Sequence, residues 1–160
     1  TTLLPSSQLD RFLIRLSMGY PDHKSQINIL RDRHSENPLD RVQPVVTKDE
    51  LLQLVQETRN VEANDRIFDY VTTLAEATRT HPMVELGVSP RGALALCRMA
   101  KAHAFLAGRD FVVPEDVAAV FPDVCAHRLI LSAKARMMEE KAENILAEIL
   151  KSVDMPVLKA

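Results

Sequence analysis

The sequence predicts a mainly α-helical protein in which one strand and one helix precede a helical bundle. Only 4 of the 160 residues are glycine, and long stretches are rich in the helix-favouring residues Ala, Leu, Glu, Lys and Arg. Aromatic residues make up 4% of the chain and Trp is absent, so we expect a core of Leu, Ile, Val, Ala and Met. Helix-start and helix-stop residues divide the rest of the chain into a series of helical segments.

The segment Phe12–Met18 is predicted to be the strand. It is short and apolar, and Gly19-Tyr20-Pro21 ends it. A helix of roughly a dozen residues is predicted to follow from Asp22. Because a lone strand is not stable by itself, its sheet partners are expected outside these 160 residues. The chain also begins at Thr1 rather than at Met, so we interpret it as a fragment of a longer protein.

A linker and a helical bundle make up the remaining predicted elements. Residues 34–46 are polar and contain Pro38 and Pro44, which indicates a linker. Thr47 and Glu50 form a capping box, in which each side chain accepts a hydrogen bond from the other residue's backbone, at the start of the next helix. Predicted helices then cover residues 47–58, 64–81, 89–107, 113–122, 124–131 and 132–153, with Pro122 ending the fourth of them.

Composition and charge exclude several classes of function. The net charge is −2, with 20 basic against 22 acidic residues, and no basic stripe is visible, so we expect no nucleic-acid partner. No apolar run approaches the ~18 residues that a membrane span needs, and the start of the chain lacks the features of a signal peptide. We therefore expect a cytoplasmic protein with no membrane contact. Cys97 and Cys125 are isolated in sequence and are expected to be reduced and buried.

The sequence shows no metal site and no nucleophilic catalytic arrangement. The five histidines lack the mutual spacing and the acidic or cysteine companions that metal ligands need. One segment, Gly87–Gly92, resembles part of a phosphate-binding P-loop, but Ala93 and Leu94 stand where that loop requires Lys and Ser or Thr. The 160 residues therefore contain no P-loop.

Two arginines are candidates for phosphate binding. Arg11, in Leu9-Asp10-Arg11-Phe12, lies just before the predicted strand, where a guanidinium can project beyond its own domain towards phosphate oxygens. On spacing alone, a surface arginine paired with Asp10 or a nearby Glu explains it better. Arg91 follows the helix start Ser89-Pro90, and free N–H groups together with an arginine suit an anion there. An exposed arginine with a small dipole penalty explains Arg91 equally well.

A third segment, residues 108–117, is predicted to be architectural. Gly108 ends one helix, a short extended link follows, and Val113-Pro114-Glu115-Asp116 begins the next helix. Its expected role is to pack one helix of the bundle against the next.

Taken together, these segments resemble the MoxR family of AAA+ ATPases. The matching motifs are Leu9-Asp10-Arg11-Phe12, Gly19-Tyr20-Pro21, Leu86-Gly87-Val88-Ser89-Pro90-Arg91, Gly108-Arg109-Asp110-Phe111-Val112, Ala126-His127-Arg128-Leu129 and the closing Asp154-Met155-Pro156-Val157. Their order and spacing match the family across nearly the whole chain.

The resemblance implies a domain division and a role for each arginine. Residues 1–33 would be the last strand and helix of an α/β nucleotide-binding core, residues 34–46 a linker, and residues 47–160 a helical lid domain. Arg11 matches the arginine finger that reaches the γ-phosphate of ATP on a neighbouring subunit. Arg91, preceded by Ser89 and Pro90, matches the sensor-2 arginine, which contacts either its own subunit's ATP or a neighbour's.

The resemblance further implies an ATP hydrolase that works as a ring of subunits and remodels other proteins in the manner of a chaperone. ATP and Mg²⁺ would be its cofactors in the full-length protein, with neither bound tightly by this chain alone. Other copies of itself and proteins with a von Willebrand A domain would be its partners. Two alternatives remain open: a magnesium-chelatase-like AAA+ subunit, and a helical protein-interaction module without a nucleotide.

Overall fold

The computed structural model describes residues 4–35 and 37–157. The helices are α1 (Ser6–Leu9), α2 (His23–Ser35), α3 (Lys48–Asn60), α4 (Asp65–Thr80), α5 (Pro90–Leu106), α6 (Pro114–Cys125), α7 (Ala133–Met137) and α8 (Ala142–Ser152). The strands are β1 (Val84–Leu86) and β2 (Ile130–Leu131), and 3₁₀ turns cover Pro38–Arg41 and Ala126–Arg128. The chain divides into two compact units, one comprising Leu16–Val55 and the other the described parts of Thr1–Arg15 and Gln56–Ala160.

The smaller unit contains α2, the first 3₁₀ turn and the beginning of α3. The predicted capping box at the start of α3 is confirmed. The Thr47 backbone N–H donates to Glu50 Oε2 over 2.6 Å, and the Glu50 N–H donates to Thr47 Oγ1 over 3.2 Å. The Asp22 carboxylate similarly accepts from the Ser25 N–H over 2.7 Å, so side chains satisfy backbone donors at the starts of both helices.

The larger unit is built around a bundle of α4, α5, α6 and α8. Each helix contributes at least one side chain with no exposed surface: Leu74, Leu96, Phe121 and Leu146. Burying a side chain of this size contributes about 1.5–3 kcal/mol, so burial of the four helix faces against one another is the main stabilising term. The predicted helical bundle is confirmed.

Local capping residues mark the ends of the bundle helices where the sequence predicts them. Asn64 accepts a hydrogen bond from the Ile67 N–H over 3.1 Å at the start of α4. Ser89 does the same for the Gly92 N–H over 3.1 Å at the start of α5. Gly108 follows the end of α5 with φ +76°, a left-handed conformation that glycine adopts at little cost.

The predicted strand over Phe12–Met18 is wrong: the structure assigns no strand to these residues. Part of the segment's backbone instead pairs within the larger unit. The carbonyl of Leu13 accepts from the Arg128 guanidinium over 3.1 Å, and the Arg15 N–H donates to the Asp123 carbonyl over 2.9 Å. Side-chain and loop groups therefore satisfy backbone atoms that a neighbouring strand would otherwise pair.

The sequence predicted that Pro122 ends α6, but in the structure Pro122 lies inside this helix. A proline within a helix costs about 3 kcal/mol, because it removes one hydrogen bond and crowds the preceding turn. Phe121, Val124 and Cys125 around it are fully buried. Burial of side chains like these contributes about 1.5–3 kcal/mol each, enough together to outweigh the proline.

The C-terminal region also differs from the prediction. The helix predicted over residues 132–153 is divided into α7 and α8, and Glu139 between them has φ +53°. The Glu139 and Glu140 N–H groups donate to the carbonyls of Arg136 and Ala135, which closes α7 as a left-handed cap does. In α8, Ile145, Leu146 and Ile149 are buried and Leu150 is partly buried.

The end of the helix predicted over residues 124–131 is instead strand β2 of a small antiparallel sheet. Strand β1 pairs with β2, with Val84 opposite Leu131 and Leu86 opposite Ile130. The preceding residues form the 3₁₀ turn Ala126–Arg128. Strands of two or three residues carry too short a pattern to be predicted from sequence.

Candidate functional site

Arg11 lies on a turn that follows the short helix α1. The turn is closed by hydrogen bonds of 3.1 Å from the Arg11 N–H to the Gln8 carbonyl and from the Phe12 N–H to the Leu9 carbonyl. The Arg11 side chain is exposed. Its guanidinium makes no hydrogen bond or ion pair within residues 4–35 and 37–157. The turn therefore presents an arginine whose donors are available to another molecule.

Arg128 holds this turn from beneath. Its side chain is 2% exposed and reaches the backbone on both sides of Arg11. One terminal nitrogen, Nη2, donates to the carbonyls of Asp10 over 3.2 Å and Phe12 over 2.7 Å. The other, Nη1, donates to the carbonyls of Leu13 and Val124. The planar guanidinium fork thus fixes the turn in a way that a lysine could not reproduce.

Asp10 joins the turn to the start of α5. Its Oδ1 atom lies 3.2 Å from Arg128 Nε and accepts a hydrogen bond from the Ser89 hydroxyl over 3.0 Å. The sequence-based alternative, in which Asp10 pairs with Arg11, is therefore wrong. The Asp10 carboxylate is committed to Arg128 and Ser89.

The start of α5 has the local structure predicted from Ser89-Pro90. Ser89 is the N-cap residue and Pro90 occupies the first helical position, so Arg91 stands in the first turn. Gly92 is also required by packing. A Cβ atom there would lie 2.7 Å from Val88 Cγ1 and 2.9 Å from Arg128 Cδ. The absence of a side chain at Gly92 lets Arg128 pass beneath the helix towards the Arg11 turn.

Arg11 and Arg91 line the same cavity, although they lie far apart in the sequence. The cavity has a volume of about 690 Å³, and its lining residues are Asp10, Arg11, Leu13, Arg91, Leu94, Ala95, Arg98 and Arg128. Four positive charges and one negative charge surround it, in a chain whose net charge is −2. This concentration of positive charge makes the cavity suited to an anion.

His127 supports the same turn from a buried position. Its Nε2 atom lies 2.9 Å from the Phe12 carbonyl, to which the Nε2–H tautomer donates. Burial lowers the pKa of His127 below its usual 6.5, and the charges of Arg128 and Arg15 act in the same direction. The hydrogen bond to Phe12 and the charge of Asp10 oppose this shift without reversing it. His127 is therefore neutral at pH 7.

A second polar network connects α5 to α6, in the segment predicted to be architectural. The Asp116 side chain is 1% exposed and accepts from Arg109 Nη2 over 2.6 Å and from the Val113 N–H over 2.8 Å. His103 Nδ1 lies 2.7 Å from the same carboxylate. Burial raises the Asp116 pKa, but the hydrogen bonds from Arg109, Val113 and His103 outweigh it and hold the pKa below its usual value. This network joins the two helices.

Two of the four arginines that line the cavity, Arg98 and Arg128, were not predicted as site residues from the sequence. Arg128 belongs to the motif Ala126-His127-Arg128-Leu129, which by itself indicates no contact with the Arg11 turn. A buried arginine that binds backbone carbonyls has no signal in a single sequence, because its partners Asp10 and Phe12 are more than 110 residues away. Arg98 does have a weak signal: it stands seven residues after Arg91, two helical turns along the same face.

The cysteines and the acidic residues do not form a further site in the part of the chain that the structure describes. Cys125 is buried and Cys97 is half-buried, both as free thiols. Burial raises the pKa of Cys125 to about 12. No group of three or more His, Cys, Asp or Glu side chains within residues 4–35 and 37–157 could hold a metal ion. No described helix is both long and apolar enough to cross a membrane.

Comparison with known proteins places residues 76–149 in the AAA lid domain family. The chain is 40% identical to the uncharacterized protein YeaC of Bacillus subtilis, over 98% of this chain and 49% of that protein. It is 31% identical to the chaperone MoxR1 of Mycobacterium tuberculosis, over 98% of this chain and 44% of that protein. It is also 31% identical to the protein MoxR of Methylorubrum extorquens, over 94% of this chain and 48% of that protein.

A solved structure is similar throughout the chain. The crystal structure of a candidate ATPase from Cytophaga hutchinsonii has a TM-score of 0.90 and 31% sequence identity, and covers 98% of this chain and 50% of that one. The chain thus spans about half the length of the relatives it matches. These similarities confirm the resemblance that the motifs indicated.

Proposed function

We propose, from the premise that this chain belongs to the MoxR family of AAA+ ATPases, that it supplies the arginine half of an ATP site shared between two subunits. In this proposal Arg11 is the arginine finger and Arg91 the sensor-2 residue. Ser89 and Pro90 set the position of Arg91 at the start of α5. The P-loop of the shared site would be that of the neighbouring subunit, because an arginine finger acts on its neighbour's nucleotide.

The single observation that carries the proposal is the shared cavity of Arg11 and Arg91. Neither guanidinium has an acidic partner among the described residues, while the nearby Asp10 is bound to Arg128 and Ser89. Arginines with free donor forks suit phosphate oxygens, which they bind through two parallel hydrogen bonds. The residues present therefore fit the phosphate chain of a nucleotide.

The chemistry assigned to the two arginines is neutralisation of charge. ATP with Mg²⁺ supplies the phosphoryl group that is transferred to water. The Arg11 guanidinium would donate to oxygens on which negative charge develops, a contribution of roughly 10³–10⁵ in rate for an arginine finger. Because the turn that holds Arg11 is fixed by Arg128, little reorganisation is needed when the phosphate arrives.

The shared cavity also bears on which subunit's ATP Arg91 contacts. An arginine finger acts on the neighbour's nucleotide, and Arg91 lines the same cavity as Arg11 within one unit of the chain. Two arginines around one cavity support contact with one anion. We therefore propose that Arg91, like Arg11, acts on the ATP of the neighbouring subunit.

The same proposal covers the whole protein. Residues 1–33 would belong to the α/β core, residues 34–46 to a linker and residues 47–160 to the lid, in a cytoplasmic ring of identical subunits. ATP turnover in the ring would drive chaperone-like remodelling of partners, including proteins with a von Willebrand A domain. The names of the relatives favour this MoxR-type function over a chelatase-like one.

The direct test is to replace Arg11 and Arg91 separately by Ala in a full-length protein that carries this sequence together with a P-loop. We expect Arg11→Ala to lower kcat for ATP hydrolysis by roughly 10³–10⁵, as the loss of an arginine finger does. Lys101→Ala is a matched control, because Lys101 is on α5 but does not line the cavity. Parental hydrolysis rates in both arginine variants would refute the site assignment.

The chain by itself is expected not to hydrolyse ATP, because it contributes arginines but no P-loop. Purified chain incubated with ATP and Mg²⁺ should release no more phosphate than buffer does. Mg²⁺-dependent phosphate release that copurifies with the chain would contradict this part of the proposal.

A further inference from the structure

Four arginines line the cavity, and Arg98 is the one that neither supports the Arg11 turn nor has a proposed contact with ATP. It stands on α5 seven residues after Arg91, which places the two Cα atoms about 10 Å apart along one helix face. Leu94 and Ala95 lie between them and also line the cavity. The two arginines thus stand at the ends of a short apolar wall.

Arg98 has no hydrogen-bond or ion-pair partner within residues 4–35 and 37–157, and its side chain is exposed. Other cations of the bundle differ in this respect. Arg109 is paired with Asp116, and the Lys101 ammonium donates to the Arg59 carbonyl over 3.1 Å. Arg98 therefore adds an uncompensated charge to a cavity that Arg11 and Arg91 already make positive.

An extended anion suits this arrangement better than a compact one. A single phosphate group held beside Arg91 would lie about two helical turns from the Arg98 backbone, so Arg98 could reach it only by extending back along the helix. A chain of phosphates along the wall would bring negative oxygens to both guanidinium groups. Arg11, on the turn across the cavity, would face the same chain.

We propose that Arg98 is a third phosphate-binding residue of this site, and that Arg91 and Arg98 hold separate phosphate groups of one polyphosphate chain. The identification of that chain as a nucleotide triphosphate rests on the proposed function. The binding of a polyphosphate anion rests on the cavity alone. Arg98 thereby selects for the length of the anion and not only for its charge.

The experiment measures binding of inorganic tripolyphosphate and of orthophosphate to the 160-residue chain by isothermal titration calorimetry. We expect Arg98→Ala to weaken tripolyphosphate binding about tenfold, the loss of one charged hydrogen-bonding contact. Arg98→Lys should give an intermediate affinity, because it keeps the charge but loses the donor fork. Orthophosphate affinity should change less than tripolyphosphate affinity.

Lys101→Ala is the control, since it removes one positive charge from the same helix outside the cavity. Its tripolyphosphate affinity should stay close to that of the unchanged chain. The far-ultraviolet circular dichroism and the unfolding midpoint of each variant show whether it folds. Because Arg98 is exposed, its variants should match the unchanged chain in both measurements.

The outcomes separate this inference from the proposed function. If Arg11→Ala and Arg91→Ala weaken tripolyphosphate binding and Arg98→Ala does not, the proposed function stands and the role of Arg98 is refuted. If only Arg98→Ala weakens binding, the polyphosphate contact stands and the assignment of Arg11 and Arg91 is refuted. Absence of tripolyphosphate binding by the unchanged chain, or equal losses for Arg98→Ala and Lys101→Ala, would overturn the inference.

Discussion

The hydroxyl of Ser89 donates a hydrogen bond to the carboxylate of Asp10 over 3.0 Å, while the same hydroxyl oxygen accepts from the Gly92 N–H. Ser89 thus caps the helix that carries Arg91 and binds the residue next to Arg11. One side chain ties together the two elements that present the candidate phosphate-binding arginines. The relative position of Arg11 and Arg91 is therefore set by hydrogen bonds within one folded unit.

Replacing Ser89 by Ala should destabilise the larger unit more than an ordinary loss of a helix cap. The cap alone is worth about 0.5–2 kcal/mol, and the variant also leaves Asp10 with one partner fewer. Ser132→Ala is the control, because Ser132 caps α7 by accepting from the Ala135 N–H. Urea unfolding followed by circular dichroism gives both free energies of unfolding. A loss for Ser89→Ala no greater than that for Ser132→Ala would show that the Asp10 bond contributes nothing.

Replacing Arg128 by Ala should release the Arg11 turn. Removing one partner of a buried ion pair costs roughly 3–5 kcal/mol, and we expect about 3 kcal/mol here because Asp10 is 28% exposed. Arg128→Lys should recover only part of this stability, because lysine cannot reach the Asp10 and Phe12 carbonyls as a planar fork. Arg136→Ala removes a side chain that is 58% exposed, lies 3.7 Å from Glu85 and donates to the Leu131 carbonyl over 2.6 Å, and it should cost only about 1 kcal/mol because these contacts are exposed. Equal free energies of unfolding for the Arg128 and Arg136 alanine variants would contradict the assigned role.

His127 should make the larger unit less stable as the pH falls below about 6.5. Its pKa is lowered by burial in the folded chain, so the unfolded chain takes up the proton first. Its contribution is therefore complete above 6.5 and is lost as the pH falls towards the lowered pKa. The difference in unfolding free energy between pH 7.5 and 5.5 should be smaller in His127→Gln than in the unchanged chain. An NMR titration that placed the His127 pKa at or above 6.5 would refute this prediction.

Asp116 should stabilise the connection between α5 and α6 at neutral pH. We expect Asp116→Asn to lose roughly 1.5–3 kcal/mol, because a carboxylate that is 1% exposed would lose its charged hydrogen bonds, while its partner Arg109 is 27% exposed. The Asp116 pKa is held below its usual 3.8. The unchanged chain should therefore stay more stable than Asp116→Asn down to about pH 3.8, and the difference in unfolding free energy should shrink below that pH. Asp69→Asn, at an exposed position of α4, should change stability by no more than about 0.5 kcal/mol. Unfolding in guanidinium chloride at pH 7 and pH 3 measures these free energies. If the unfolding free energies of the unchanged chain and Asp116→Asn differed equally at the two pH values, the predicted pH dependence would be contradicted.

Helix starts could be predicted from the sequence because capping is local chemistry. Thr47 with Glu50, and Ser89 with Pro90, satisfy backbone donors within one turn, so their spacing alone defines the helix ends. The course of α6 through Pro122 and the division at Glu139 depend on burial and on backbone bonds to other parts of the fold. No local sequence pattern predicts either the helix through Pro122 or the break at Glu139.

The candidate site shows the same limit. Arg11 was predicted mainly from a family resemblance, and Arg91 also from its place at a helix start. Their placement around one cavity is a property of the folded chain. Arg128 could not be found from the sequence, because its role is to bind carbonyls that any residue has. Its role is seen only in the folded structure, where its guanidinium lies 2.7 Å from the Phe12 carbonyl.

The central claim, that Arg11 and Arg91 of one subunit act on the same neighbouring ATP, is tested most directly by mixing two inactive full-length proteins. One carries Arg91→Ala with an intact P-loop, and the other carries a substituted P-loop with intact arginines. In mixed rings, an intact P-loop can meet an intact Arg91 only across a subunit interface. We predict that ATP hydrolysis recovers on mixing, as it should for Arg11→Ala mixed in the same way. Recovery with Arg11→Ala but none with Arg91→Ala would show that Arg91 serves its own subunit's ATP, and would contradict the claim.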